Sequence, residues 1–184
     1  MLSISSTKIS GITIVETSSL YDNRGYFSRL FCENELSPIL NGRRIVQINQ
    51  SKTHQTGAIR GLHYQTAPSA EMKFIRCIRG CVWDIGLDLR KDSPTFLQWH
   101  AEILSEENKK MIVLSEGIAH GFQVLESNSE LLYLHTAQYN SRTEGAVRYN
   151  DPMANINWPL ACSDISDRDR QHKLLDSNFS GFIV

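Results

Sequence analysis

The sequence predicts an all-β fold, a jelly-roll barrel with a short C-terminal helix. Three observations predict it. Short segments rich in β-branched and aromatic residues recur at hairpin spacing along nearly the whole chain. Turn residues stand between them. Helical patterning is confined to residues 166–175. Two sheets packed face to face leave a cavity for a ligand. The 184 residues form one domain, 1–184, because the length supports a full core and no repeat, low-complexity segment or linker interrupts it.

Ile12 to Glu16, ITIVE, reads as the first strand. Tyr21 to Phe31 reads as a turn leading into an aromatic-rich strand, with Asp22, Asn23 and Gly25 supplying the turn chemistry. Asn34 to Arg44 is ambiguous and accommodates a short helix ending near Pro38. Ile45 to Ser51 alternates by period two, Val46 and Ile48 against Gln47, Asn49 and Ser51. The simpler expectation for those polar residues is a solvent-facing side, since buried amides need partners. Ala58 to Tyr64 is the next strand. Lys73 to Ile78 and Val82 to Leu89 read as a hairpin around Arg79-Gly80. Trp83, Ile85, Leu87 and Leu89 then share a face opposite Asp84 and Asp88. Further strands run from Gln98 to Leu104, Met111 to Leu114, Gly121 to Leu125 and Leu131 to Ala137. A short one covers Ala146 to Tyr149.

Charge and composition narrow the function. A net charge of −1 argues against a general nucleic-acid or membrane-surface binder. The N-terminal MLSISSTKISG lacks a signal peptide's apolar core, and no run approaches the roughly 18 apolar residues of a membrane helix. Cys32, Cys77, Cys81 and Cys162 form no CxxC pair, which predicts a reducing cytoplasm, with Cys77 and Cys81 serving as packing.

The chemistry gathers in GAIRGLHYQTAPSAEMK, residues 57–73, which holds Arg60, His63 and Lys73. Arginine grips phosphate, lysine stabilises a growing oxyanion, and histidine moves a proton near neutral pH. A histidine base needs an orienting carboxylate; Asp84, Asp88 and Asp169 are the candidates. Ser166 and Asp169 also have helix-capping spacing, and the two roles for Asp169 are compatible. Tyr133 shares strand parity with His135, as a core aromatic or as a proton donor eased by a neighbouring lysine. A metal site built from His63, Glu71, His120 and His135 is the rival reading. It lacks a His-x-His pair because position 65 is Gln65, so the expectation is no metal.

The motifs DNRGYF (22–27), QINQS (47–51), RGLHYQ (60–65), MKFIRCIRG (72–80), DLRKDSPTF (88–96), EGIAHGF (116–122), RYNDP (148–152) and INWP (156–159) run in one order over nearly the whole chain. In that order the chain resembles the dTDP-4-dehydrorhamnose 3,5-epimerase family, whose fold is cupin-like. The resemblance implies an isomerase without metal or redox cofactor. Its substrate would be dTDP-4-dehydro-6-deoxy-D-glucose, whose 4-keto group acidifies the protons on ring carbons 3 and 5. It implies His63 as base, Asp169 as its orienting partner, Lys73 beside the enolate oxygen and Tyr133 as acid. Arg24, Arg29, Gln47, Asn49, Arg60, Lys73, His120, Glu144 and Arg168 fall on positions that bind substrate. It also implies a homodimer that exchanges N-terminal strands.

The chain departs from the family pattern in places. Arg29 stands where the family has Glu at a nucleotide contact, exchanging an acceptor for a donor. Ser115 replaces Pro, Glu71 replaces Gln and Arg168 replaces Lys. The alternatives are an epimerase acting on another nucleotide sugar or at one carbon, and a cupin that binds a sugar nucleotide without turning it over.

Overall fold

The computed structural model describes residues 1–184. Two antiparallel sheets face each other. The six-stranded sheet has the order β1 (Leu2–Ser6), β2 (Ile12–Thr17), β10 (Lys110–Leu114), β7 (Lys73–Arg79), β12 (Ser129–His135) and β5 (Gln47–Thr53). The five-stranded sheet runs β13 (Glu144–Ala146), β6 (Ile59–Gln65), β11 (Ile118–Val124), β8 (Cys81–Asp88) and β9 (Trp99–Ser105). A separate hairpin pairs β3 (Leu20–Asp22) with β4 (Gly25–Phe27). The helices are α1 (Glu33–Leu40) and α2 (Asp167–Gln171). The all-β jelly-roll expectation therefore holds.

Alternation along the strands builds the core. Ile12, Ile14, Ile75, Ile112 and Leu131 of one sheet meet Val82, Leu104, Phe122 and Val124 of the other. The outer face of the six-stranded sheet packs Phe74, Met111 and Val113 against Leu36 and Leu40 of α1. The outer face of the five-stranded sheet packs Ile85, Leu87, Leu89 and Trp83 against Trp158, Leu175 and Phe182 near the C-terminus. Asp84 and Asp88 point the other way and are fully buried, as the parity predicts. All four cysteines are free, and burial pushes the Cys77 thiol up to about 12.

Four expectations need correction. Lys73–Arg79 and Cys81–Asp88 are not a hairpin, because β7 pairs with β10 and β12 while β8 pairs with β11 and β9. Gly80 carries the chain from one sheet to the other at φ 74°. Ser129 packs so closely there that a Cβ at position 80 would meet its Oγ at 2.5 Å. The first strand is Leu2–Ser6, not Ile12–Glu16; it carries one buried residue, Leu2, and so has no alternating signature. Helix α1 runs through Pro38 to Leu40 and ends in left-handed Asn41. The Asn34 carbonyl, which the proline cannot serve, accepts from the Ser37 hydroxyl at 2.9 Å instead. Finally, Gln47, Asn49 and Ser51 face inward, while Val46 and Ile48 are 51% and 62% exposed. Register with β12 sets this: Asn49 lies opposite Tyr133 and Ser51 opposite Leu131, both inward-facing.

Candidate active site

A cavity of about 330 Å³ opens between the sheets. The six-stranded sheet contributes Gln47, Asn49, Ser51, Lys73, Tyr133 and His135; the five-stranded sheet contributes Arg60, His63, His120 and Glu144. Mixed polar lining of this size suits a small polar ligand.

His63 Nε2 lies 2.7 Å from Asp169 Oδ1. Asp169 lies in the first turn of α2: its N–H donates to the Ser166 hydroxyl at 3.1 Å, so the capping and orienting roles coexist. Its other oxygen accepts the Gly61 N–H at 3.3 Å. Gly61 has φ 111°, and a Cβ there would meet the Gly121 backbone at 2.6 Å, so only glycine lets β6 run this close to β11. Burial opposes ionisation of Asp169, but the hydrogen bonds from His63 and Gly61 hold its carboxyl below the usual range. A carboxylate on Nε2 keeps the proton there and leaves Nδ1 with its lone pair.

The other two aspartates serve elsewhere. Asp84 sits under His120, whose Nε2 is 2.9 Å from Oδ2, and burial raises its pKa. Asp88 binds Arg90, Ser93 and Thr95; burial works against its ionisation, yet these donors bring it down to about 2.

Lys73 is buried. Its ammonium donates to the His63 carbonyl at 3.2 Å and lies 3.4 Å from Glu71 Oε1. Glu71 Oε2 in turn takes His135 Nδ1 at 2.8 Å, and His135 Nε2 lies 3.3 Å from Asn49. The four residues of the rival metal reading are thus divided: His63 on Asp169, His120 on Asp84, and His135 with Glu71. The histidine and carboxylate atoms that do converge belong to His63, Asp169 and His172, within 4.8 Å of one another. Burial lowers the pKa of the His172 imidazole.

Tyr133 faces His63 from the opposite sheet, its hydroxyl 2.9 Å from Ser51 Oγ. Here the sequence expectation fails in sign. Burial raises the pKa of this phenol and outweighs the Ser51 hydrogen bond; no lysine lowers it. The hydroxyl therefore stays protonated through neutral pH.

At the rim, Arg168 pairs with Glu144, which also accepts the Tyr139 hydroxyl at 2.8 Å. Burial disfavours the Glu144 carboxylate, but Tyr139 and Arg168 hold its pKa below the ordinary value. Arg60 is braced by Thr53 Oγ1 at 2.9 Å. Gln47 Oε1 accepts the Tyr139 N–H at 3.0 Å. Asp169 and Arg168 reach the cavity lining through His63 and Glu144, and two further predicted residues lie away from it. Arg24 is in the exposed β3–β4 turn, ion-paired with Asp22. Arg29 pairs with Glu35 of α1, whose carboxylate also accepts the Leu2 N–H. Sequence reasoning did not single out Tyr139 or His172. Tyr139 lies in a loop without periodicity, and the place of His172 depends on where α2 ends.

Comparison with known proteins identifies the family. The family model for dTDP-4-dehydrorhamnose 3,5-epimerase matches residues 6–177. The dTDP-4-dehydrorhamnose 3,5-epimerase of Salmonella typhimurium strain LT2 is 37% identical over 179 residues, covering 96% of this chain and 97% of that protein. The dTDP-6-deoxy-D-glucose-3,5-epimerase of Legionella pneumophila Philadelphia 1, solved in complex with dTDP-4-keto-L-rhamnose, superposes with TM-score 0.92 at 34% identity and covers 100% of both chains. The Bacillus anthracis dTDP-4-dehydrorhamnose 3,5-epimerase, solved with TDP and pyrophosphate, gives TM-score 0.91 at 34% identity, over 95% of this chain and 100% of that one. Matched along its length in sequence and in fold, the chain belongs to the dTDP-4-dehydrorhamnose 3,5-epimerase family.

Proposed function

We propose that the chain epimerises dTDP-4-dehydro-6-deoxy-D-glucose at ring carbons 3 and 5, giving dTDP-4-dehydro-L-rhamnose. The observation that carries this reading is the facing placement of His63–Asp169 and Tyr133 on opposite sheets, with Lys73 buried in the same cavity. His63 Nδ1 takes the proton from the carbon next to the ketone. The C–H electrons move onto the C4 oxygen, and Lys73 stabilises that enolate. Tyr133 returns a proton to the opposite face, and the centre inverts. His63 and Tyr133 then exchange their protons with solvent, and the second carbon follows.

Around this chemistry, Gln47, Asn49, Arg60, His120, Glu144 and Arg168 hold the substrate. Their placement on or beside the cavity supports that role. Wild-type enzyme dialysed against a strong chelator should keep its rate of solvent-deuterium incorporation into the sugar. A loss restored by zinc, iron or manganese would contradict the proton-transfer mechanism.

Arg24 and Arg29 fit the same scheme if they act in a partner's site. The working form is then a homodimer that exchanges N-terminal strands. Support comes from the β3–β4 hairpin, which pairs with neither sheet and leaves Leu20, Tyr21 and Phe27 about 70% exposed. β1 is likewise an edge strand. Sedimentation should give twice the 20.9 kDa chain mass; a monomer at working concentration would exclude exchange. The four free cysteines support a cytoplasmic location. No helix is long and apolar enough to cross a membrane.

A further inference from the structure

Behind the base lies a second imidazole that neither proton transfer nor substrate binding uses. His172 follows directly on α2. Its Nε2 is 3.7 Å from Asp169 Oδ1, the same oxygen that holds His63 Nε2 at 2.7 Å. The two rings meet edge to face with centroids 6.4 Å apart. The His172 Nε2 is buried and makes no hydrogen bond. An imidazole nitrogen buried beside a carboxylate and left without a hydrogen-bond partner is an unused ligand atom.

We propose that His63, Asp169 and His172 form a site for one divalent transition-metal ion of the zinc class, and that the bound ion switches the base off. Two imidazole nitrogens and one carboxylate oxygen are the borderline donor set that zinc accepts, with a fourth position left for water. Calcium and magnesium want oxygen ligands and do not match it. Tetrahedral zinc with bonds of about 2.0–2.2 Å places its ligand atoms about 3.3–3.6 Å apart. The His172–Asp169 separation of 3.7 Å lies just outside this and has to close by about 0.1–0.4 Å. The His63–Asp169 contact has to open by under about 1 Å as the ion replaces the hydrogen-bonding proton. Arg168 stands close by on Asp169's helix, but it is ion-paired with Glu144, so the rim opposes a dication little.

The inhibition follows from the tautomer. In the free enzyme His63 carries its proton on Nε2 and its lone pair on Nδ1. An ion bound at Nε2 takes the Nε2 lone pair, and the ring proton moves to Nδ1. The ring keeps one proton throughout, no electron is transferred, and the nitrogen that faces the sugar no longer accepts a proton. The nucleotide contacts stay untouched. This consequence rests on His63 being the base; the binding of the ion does not.

The test uses tag-free, chelator-treated protein. Calorimetry with Zn²⁺, and visible absorption with Co²⁺ in its place, should report one site in the wild type. Losing a residue that only hydrogen-bonds a metal ligand already costs roughly 10–100-fold in affinity, so losing a ligand in His172→Ala or His63→Ala should weaken binding by at least tenfold. Retained dTDP binding checks that each variant is folded. Deuterium wash-in by the wild type should fall in step with occupancy while dTDP affinity stays constant. Zn²⁺ binding as tight in His172→Ala as in the wild type, or no binding by the wild type, overturns the site. Binding that needs His172, with wash-in persisting at full occupancy, upholds the site and removes His63 from the proton transfer.

Discussion

His63→Asn should abolish solvent-deuterium exchange at both sugar carbons and leave dTDP binding nearly unchanged. Asparagine is the better probe than alanine. Its amide keeps a polar group in the space of the imidazole, whereas alanine empties that space and leaves the buried carboxylate with the Gly61 N–H as its donor. Unpairing a buried ion costs about 3–5 kcal/mol, enough to confuse a catalytic loss with a folding one. A general base contributes roughly 10²–10⁴-fold, and more where no other group reaches the proton. The one other imidazole on Asp169 is His172, which lies behind His63 and is absent from the cavity lining. A variant that retained most of its exchange would show the base to be wrongly assigned.

Tyr133→Phe should separate two events that the wild type couples. The change keeps the ring, which packs against the core, and removes the hydroxyl bonded to Ser51. One hydrogen bond is worth about 1 kcal/mol, so the fold survives. His63 still removes the proton and Lys73 still holds the enolate. Deuterium then enters with retained configuration, because His63 returns a proton to the face it came from. Inversion should fall far more than wash-in, read by NMR of the sugar in deuterium oxide. Burial raises the phenol's pKa, so the donor form is present throughout the neutral range. An equal fall in both rates, or no fall in either, would make Tyr133 a core aromatic.

Most strands were legible in the sequence, β1 excepted, and their partners were not. Alternation along residues 82–89 identified both faces of β8, because each face meets a different core. Arg79-Gly80 has the look of a hairpin turn, yet sheet membership depends on strands more than 30 residues away, such as β10 and β11. Local turn chemistry carries no information about that. The polar face of β5 illustrates the same limit. Gln47, Asn49 and Ser51 line a cavity that exists only once both sheets are assembled. Before that, alternation alone favours solvent for them.

Site residues fixed by short motifs came together: His63, Lys73, Tyr133 and Asp169 converge although they span more than 100 residues of sequence. Arg24 and Arg29 did not join them within one chain. The direction of the Tyr133 shift was misjudged because charge is visible in a sequence and desolvation is not. The Glu71–His135 and Asp84–His120 pairs were hidden for a related reason: the first joins β12 to the loop before β7 and the second joins two strands, and both need the sheet assembly to be known first.

The most direct measurement is position-resolved NMR of wild-type enzyme with dTDP-4-dehydro-6-deoxy-D-glucose in deuterium oxide, following label and configuration at each ring carbon. The proposed mechanism predicts deuterium at both carbon 3 and carbon 5, with inverted configuration at both in the product. Label and inversion confined to one carbon would contradict the double epimerisation, and nucleotide-sugar binding with no label at either carbon would contradict catalysis itself.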